Sequence, residues 1–197
     1  MTDEVDLQPA LREKANDLLR ALSPSEREAL LIKCWMSHAA RWFMAVAKEY
    51  GMQVANRLNQ IAAHEIGTVK ARRIARALRL PPVTTLDDYL LAQELFISLL
   101  GPDLLDYRVT KVDDRAYQVH VRRFAHENAA RAGIPDDYEC GIFARVTGWL
   151  DALGLNYELR PSLGRCLKAQ GRECVYTVTL GKLAEGDTAQ AGKQQEG

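Results

Sequence analysis

Apolar residues recur along the first hundred positions at three- and four-residue spacing, the period of helices with one covered face. Residues 8 to 22 set Leu11, Ala15, Leu18, Leu19 and Leu22 on one stripe. Ser23-Pro24-Ser25-Glu26 then restarts the pattern. Ser23 suits an N-cap, Pro24 the first turn, and Glu26 completes a Ser-x-x-Glu capping box. The helix predicted from there runs to Tyr50, where Gly51 offers a stop. Val54, Leu58, Ile61, Ala62, Ile66, Val69, Ile74 and Leu78 carry a helical face through 52–79, with Gly67 a candidate break. Pro81-Pro82 ends that stretch, and Leu86 to Leu100 form one more amphipathic helix closed by Gly101-Pro102. Beyond it the period becomes two. Leu104–Val112 and Ala116–Arg122 alternate around Asp113-Asp114-Arg115, a predicted hairpin. Glu127–Ala132 and Tyr138–Leu153 read as helices, and Tyr157–Pro161 and Cys174–Leu180 as strands.

These elements predict an α+β fold, an N-terminal helical bundle packed with a four-stranded, mostly antiparallel sheet. Residues 1–24 form a helical extension. Residues 25–182 form one ligand-binding domain, with a helical half over 25–101 and a mixed half over 102–182. Residues 183–197 are polar and expected as a disordered tail.

Composition narrows the function classes. Lys and Arg number 26, and Asp and Glu also number 26, so the chain offers no general field for nucleic acid or anionic lipid. No stretch approaches the ~20 apolar residues of a membrane span. The acidic N-terminus lacks a secretory pattern. A cytoplasmic protein is expected. Clustered thiols there are more often metal ligands or redox groups than structural disulfides.

Cys140, Cys166 and Cys174 lie in the last third of the chain. A Cys–x7–Cys segment with Gly171 inside it lets two thiolates turn back toward one metal ion, and Cys140 supplies a third donor. The plain alternative is three buried core thiols. Cys34 reads as a buried helix residue.

A second constellation is Trp35, His38 and Trp42, on one helix face. Two indoles and an imidazole can wall a ligand pocket, with Arg41 beside them to pair with a carboxylate. Asn59 on the following helix adds an amide. The alternative for these residues is a core stripe in which His38 satisfies a carbonyl. Lys70 to Arg79 place five cations on one helix, read as a solvated face, as are Gln60, His64 and Glu65.

The segment Cys34-Trp35-Met36-Ser37-His38-Ala39-Ala40-Arg41-Trp42-Phe43 resembles the entry helix of a family of uncharacterised prokaryotic cytosolic proteins. That family is similar to the L-2-amino-thiazoline-4-carboxylic acid hydrolases. The likeness continues through Tyr50-Gly51, Asn59, Lys70-Ala71-Arg72-Arg73, Ala130-Arg131-Ala132-Gly133-Ile134-Pro135 and Cys140. The ending, with Cys166, Gly171 and Cys174-Val175-Tyr176, resembles the close of the 4-vinyl-reductase ligand-binding domain. That resemblance implies a zinc ion held by three Cys and one Glu. Cys140, Cys166 and Cys174 match. The Glu position holds Leu163, which leaves His126, Glu139, Glu158, Glu173 or water as the fourth ligand.

Three readings follow. One is a cytosolic small-molecule-binding protein with a pocket between helices and sheet and a Cys-rich site for zinc. Another is a hydrolase of small cyclic C–N substrates, with Cys140 or a metal-bound water as nucleophile and His38 as proton shuttle. The third is a non-catalytic dimeric interaction protein. A small-molecule ligand and a second copy are the expected partners, nucleic acid and membrane are not.

Overall fold

The computed structural model of the chain describes residues 8–99, 105–123 and 137–183. The helix expected over 127–132 and the tail from 184 onward lie outside the described residues. The fold is α+β, with four antiparallel strands following the N-terminal helices. The helices are α1 (Gln8–Arg20), α2 (Pro24–Tyr50), α3 (Met52–Leu78), α4 (Leu86–Ser98) and α5 (Ile142–Ala152). The strands are β1 (Asp106–Lys111), β2 (Ala116–Arg123), β3 (Tyr157–Arg160) and β4 (Cys174–Leu180), in the order β1-β2-β4-β3. Among the described residues no helix is long and apolar enough to cross a membrane.

Two compact units divide inside α2, one spanning Met1–Met44 and the other Ala45–Gly197. The first unit therefore reaches well past the extension expected to end at residue 24. It holds α1 and most of α2, and these helices do not pack along one another. Every side chain from Leu11 to Arg20 is exposed. The start of α2 is closed by the expected capping box. The Ser23 amide donates to Glu26 Oε2 at 2.8 Å, and the Glu26 amide donates to Ser23 Oγ at 3.3 Å.

In the second unit, α3 runs unbroken through Gly67. The glycine is there for close approach: a Cβ at that position would lie 2.4 Å from the Arg145 carbonyl oxygen. Gly148 of α5 answers it, since a Cβ there would lie 2.2 Å from the His64 carbonyl oxygen. Thr68 Oγ1 donates to the Gly148 carbonyl at 3.1 Å between the same helices. Glycine costs each helix up to ~1 kcal/mol in propensity. That cost is offset here by backbone contact between α3 and α5.

The sheet covers the other side of the core. Tyr117, Val119 and Val121 of β2 and Tyr176, Val178 and Leu180 of β4 are buried along one face. They meet Phe143, Trp149 and Leu150 of α5, with Tyr89 and Phe96 of α4 in the same core. The Tyr89 and Tyr117 hydroxyls taken inside are bonded. Gln93 Oε1 accepts from Tyr89 Oη at 3.2 Å and from Tyr117 Oη at 2.8 Å, as burial requires. α4 opens on a second capping box, between Thr85 and Asp88, worth about 1 kcal/mol.

Candidate functional site

The site begins with three amides on α3. Asn56 Nδ2 donates to the Asp137 carbonyl at 2.7 Å, and Asn56 Oδ1 accepts from the Glu139 amide at 3.1 Å. Asn59 Nδ2 donates to the Glu139 carbonyl at 3.5 Å, and Gln60 Nε2 to the Cys140 carbonyl at 3.2 Å. From the other side the Cys166 amide donates to the Tyr138 carbonyl at 2.9 Å. The 137–140 backbone is therefore held between α3 and the loop after β3. This takes its hydrogen bonds away from a helix, so α5 starts at Ile142 rather than at Tyr138. Gly141 permits the turn against α3, where a Cβ would lie 3.0 Å from both Ala63 Cβ and Asn59 Nδ2.

Held this way, Cys140 faces a small cavity between α5 and the sheet. Cys166 and Cys174 line the same cavity, with Val121, Phe143 and Tyr176 among its walls. Cys174 arrives from the first residue of β4, opposite Val121 of β2. Cys166 arrives from the loop before a short 3₁₀ turn, Lys168–Gln170, which ends at Gly171 in a left-handed conformation. Phe143 stacks on Tyr176 with ring centroids 3.7 Å apart. Lys168 donates from Nζ to the Arg122 carbonyl beside the cavity. The space inside is about 20 Å³, room for one water-sized guest.

Burial sets the electrostatics. It pushes the Cys140 thiol up to about 12, and the neighbouring Cys166 and Cys174 add to the rise. The Ile142 amide and the Tyr138 hydroxyl, both donating to the Cys140 sulfur, act in the opposite direction. Burial first, then Cys140 and Cys166, raise the Tyr138 phenol far above its ordinary range. Burial and the three thiols push Tyr176 up to about 12, with Arg172 opposing. At neutral pH Cys140 is therefore a protonated, weakly nucleophilic thiol.

The donors are the soft class that holds zinc or copper(I). Their present spacing is another matter. Among the described residues, no three His, Cys, Asp or Glu side chains form a group that could hold a metal ion. Three thiols line one cavity without being drawn into one coordination sphere.

The residues expected on the helical side lie elsewhere. Trp35, His38, Arg41 and Trp42 are exposed on α2 in the first unit, Trp42 by 66%, rather than on a buried face. Cys34 is exposed as well. His38 and Cys140 fall in different compact units. Asn59 is used on the Glu139 backbone. Gln60 and His64, read as solvated, both make contacts. His64 Nε2 lies 2.7 Å from Asp151 Oδ2 and ties α3 to the end of α5.

Sequence reasoning missed Tyr138 and Tyr176 as cavity neighbours. Each stands two residues from a cysteine. On a strand that spacing puts both side chains on one face, which marks Tyr176 beside Cys174. Asn56 carried no local signal.

The sequence profile of a family of unknown function, DUF6125, matches residues 23–140, from the α2 cap to the first thiol of the cavity. No curated protein matches the chain.

Proposed function

The chain belongs to the DUF6125 family of unknown function, and we propose that it is a small-ligand-binding protein whose site is the three-thiol cavity between α5 and the sheet. The carrying observation is convergence. Thiols from three separate segments, at positions 140, 166 and 174, reach one space sized for a single atom-scale guest. Three soft donors around so small a volume suit a thiophilic ion better than an organic molecule, since organic ligands occupy ~300 Å³ or more. The resemblance to vinyl-reductase ligand-binding domains points the same way and makes zinc the first ion to test. The donor class fits; capture requires the sulfurs to draw closer than they stand.

Binding is favoured over C–N hydrolysis because Cys140 and the expected proton shuttle, His38, fall in different compact units, whereas a bound cation would itself displace the thiol proton that burial retains. The same reading keeps the protein cytoplasmic, supported by its balanced charge and by clustered free thiols.

Cadmium titration of the reduced, metal-free protein tests the proposal. The expected result is one equivalent bound, with a thiolate-to-metal charge-transfer band lost in Cys140→Ser, Cys166→Ser and Cys174→Ser but kept in Cys34→Ser. No band in the wild type, or a band unaffected by the three substitutions, overturns it. Zinc competing for the bound cadmium identifies the harder ion as a ligand of the same site.

A further inference from the structure

Among the described residues of the first unit, none is fully buried. Eight large apolar side chains between Leu11 and Met44 are 37 to 76% exposed. Helices as short as α1, at 13 residues, are marginal alone and draw their stability from packing. The apolar surface left in water is on the order of 900 Å², taking ~150–250 Å² for each large side chain. A stable protein–protein interface buries ~800 Å² per partner. Leu31, Trp35 and Trp42, on one face of α2, leave roughly 350 Å² of that surface in water, most of the ~60% apolar share of such an interface. Its six basic and four acidic side chains over 8–44 are mixed in sign, so no field selects an anionic partner or repels a like one.

The arrangement on α2 indicates which partner fits. Leu31, Trp35, His38 and Trp42 follow one another at spacings of four, three and four, the rhythm of a helix–helix seam. They fall within about 60° of arc on a helix of 3.6 residues per turn. The seam is complementary to itself in reverse. When two copies run antiparallel about a two-fold axis between positions 36 and 37, Trp42 meets Leu31 and Trp35 meets His38. Each indole then faces a smaller group, and both contacts occur twice, as an isologous interface requires.

We infer that the exposed seam of α2 pairs antiparallel with the same seam of a second copy of this chain, setting Leu31 against Trp42 and Trp35 against His38. This inference is independent of the thiol cavity, which lies wholly in the other unit.

Sedimentation of the full chain across the micromolar range tests it. The wild type should run with the mass of two chains. L31E and W42K should each run as one chain, with the wild-type helical signal in circular dichroism. The double variant L31E/W42K should regain the two-chain mass, because each new charge then meets its opposite across the axis. A wild type that is monomeric throughout overturns the inference, and so does a dimer insensitive to L31E. A double variant that stays monomeric overturns the antiparallel register. Should L31E lose helix, W42K and the wild-type mass give the same decision. A monomer that floats with anionic lipid vesicles assigns the seam to a membrane surface instead, and also overturns the inference.

Discussion

Substituting Gly148→Ala tests the contact on which the second unit is built. The added Cβ would stand 2.2 Å from the His64 carbonyl oxygen and 2.9 Å from the Thr68 amide nitrogen. Both are main-chain atoms and neither can rotate aside. Relief requires α3 and α5 to part by about 1 Å, since real Cβ atoms essentially never approach closer than 3.0 Å. Overpacking of this kind costs ~1–3 kcal/mol, and more when backbone must move. The Thr68–Gly148 hydrogen bond at 3.1 Å would stretch with it, at ~0.5–1.5 kcal/mol. The His64–Asp151 pair is partly exposed and adds little. Against these stands a gain of up to ~1 kcal/mol from replacing glycine by alanine inside a helix. The steric and hydrogen-bond losses win, and the net should be a destabilisation of about 2–4 kcal/mol. Urea unfolding at an unchanged m-value measures it. The reciprocal change, Gly67→Ala, should behave alike, because its Cβ meets the Arg145 carbonyl oxygen at 2.4 Å. If either variant is as stable as the wild type, helix propensity has outweighed contact and the helices are not this close.

Two further outcomes follow from the site. Asn56→Ala should cost about 2–6 kcal/mol in urea unfolding, because it strands the Asp137 carbonyl and the Glu139 amide at ~1–3 kcal/mol each; Asn56→Asp should rescue little, since a carboxylate would face the Asp137 carbonyl. Stability should also fall in alkali. The Cys140 thiol moves from an ordinary 9.0 to about 12, so the unfolded chain gives up this proton first and the folded form holds more protons between those values. Its contribution is complete below pH 9 and is lost toward pH 12 at ~1.4 kcal/mol per pH unit, with Tyr176 adding the same sign above pH 10. Unfolding free energies of Cys140→Ala should show a shallower alkaline slope than the wild type, and equal slopes would refute the burial of that thiol.

What the sequence disclosed depended on whether the deciding interaction was local. Ser23 and Glu26 act within one turn, so the start of α2 was readable. The β1–β2 hairpin was readable for the same reason: Asp113 Oδ1 accepts from the Arg115 and Ala116 amides at 2.7 and 2.8 Å. Gly67 misled because its local meaning, a helix break, lost to a tertiary one, contact with a carbonyl of α5 78 residues further on. The start of α5 misled because amides from α3 capture the backbone at 137–140. The cavity followed the cysteines only in part. Their identity was plain in the sequence, but the spacing between sulfurs depends on how β4, α5 and the 161–171 loop pack. The Trp35–Trp42 stripe misled because aromatic residues at helical spacing read as a buried face, and these stand exposed.

Three of the four cysteines face one cavity, and the fourth, Cys34, stands exposed in the other unit. The chain thus contains its own clock. An alkylating reagent reaches Cys34 at once, but reaches Cys166, 6% exposed, only when the layer that covers it opens. The lag between the two modifications measures how often that layer opens under native conditions. It does so without a mutation, a dye or a denaturant, and a bound guest would lengthen it in proportion to its occupancy.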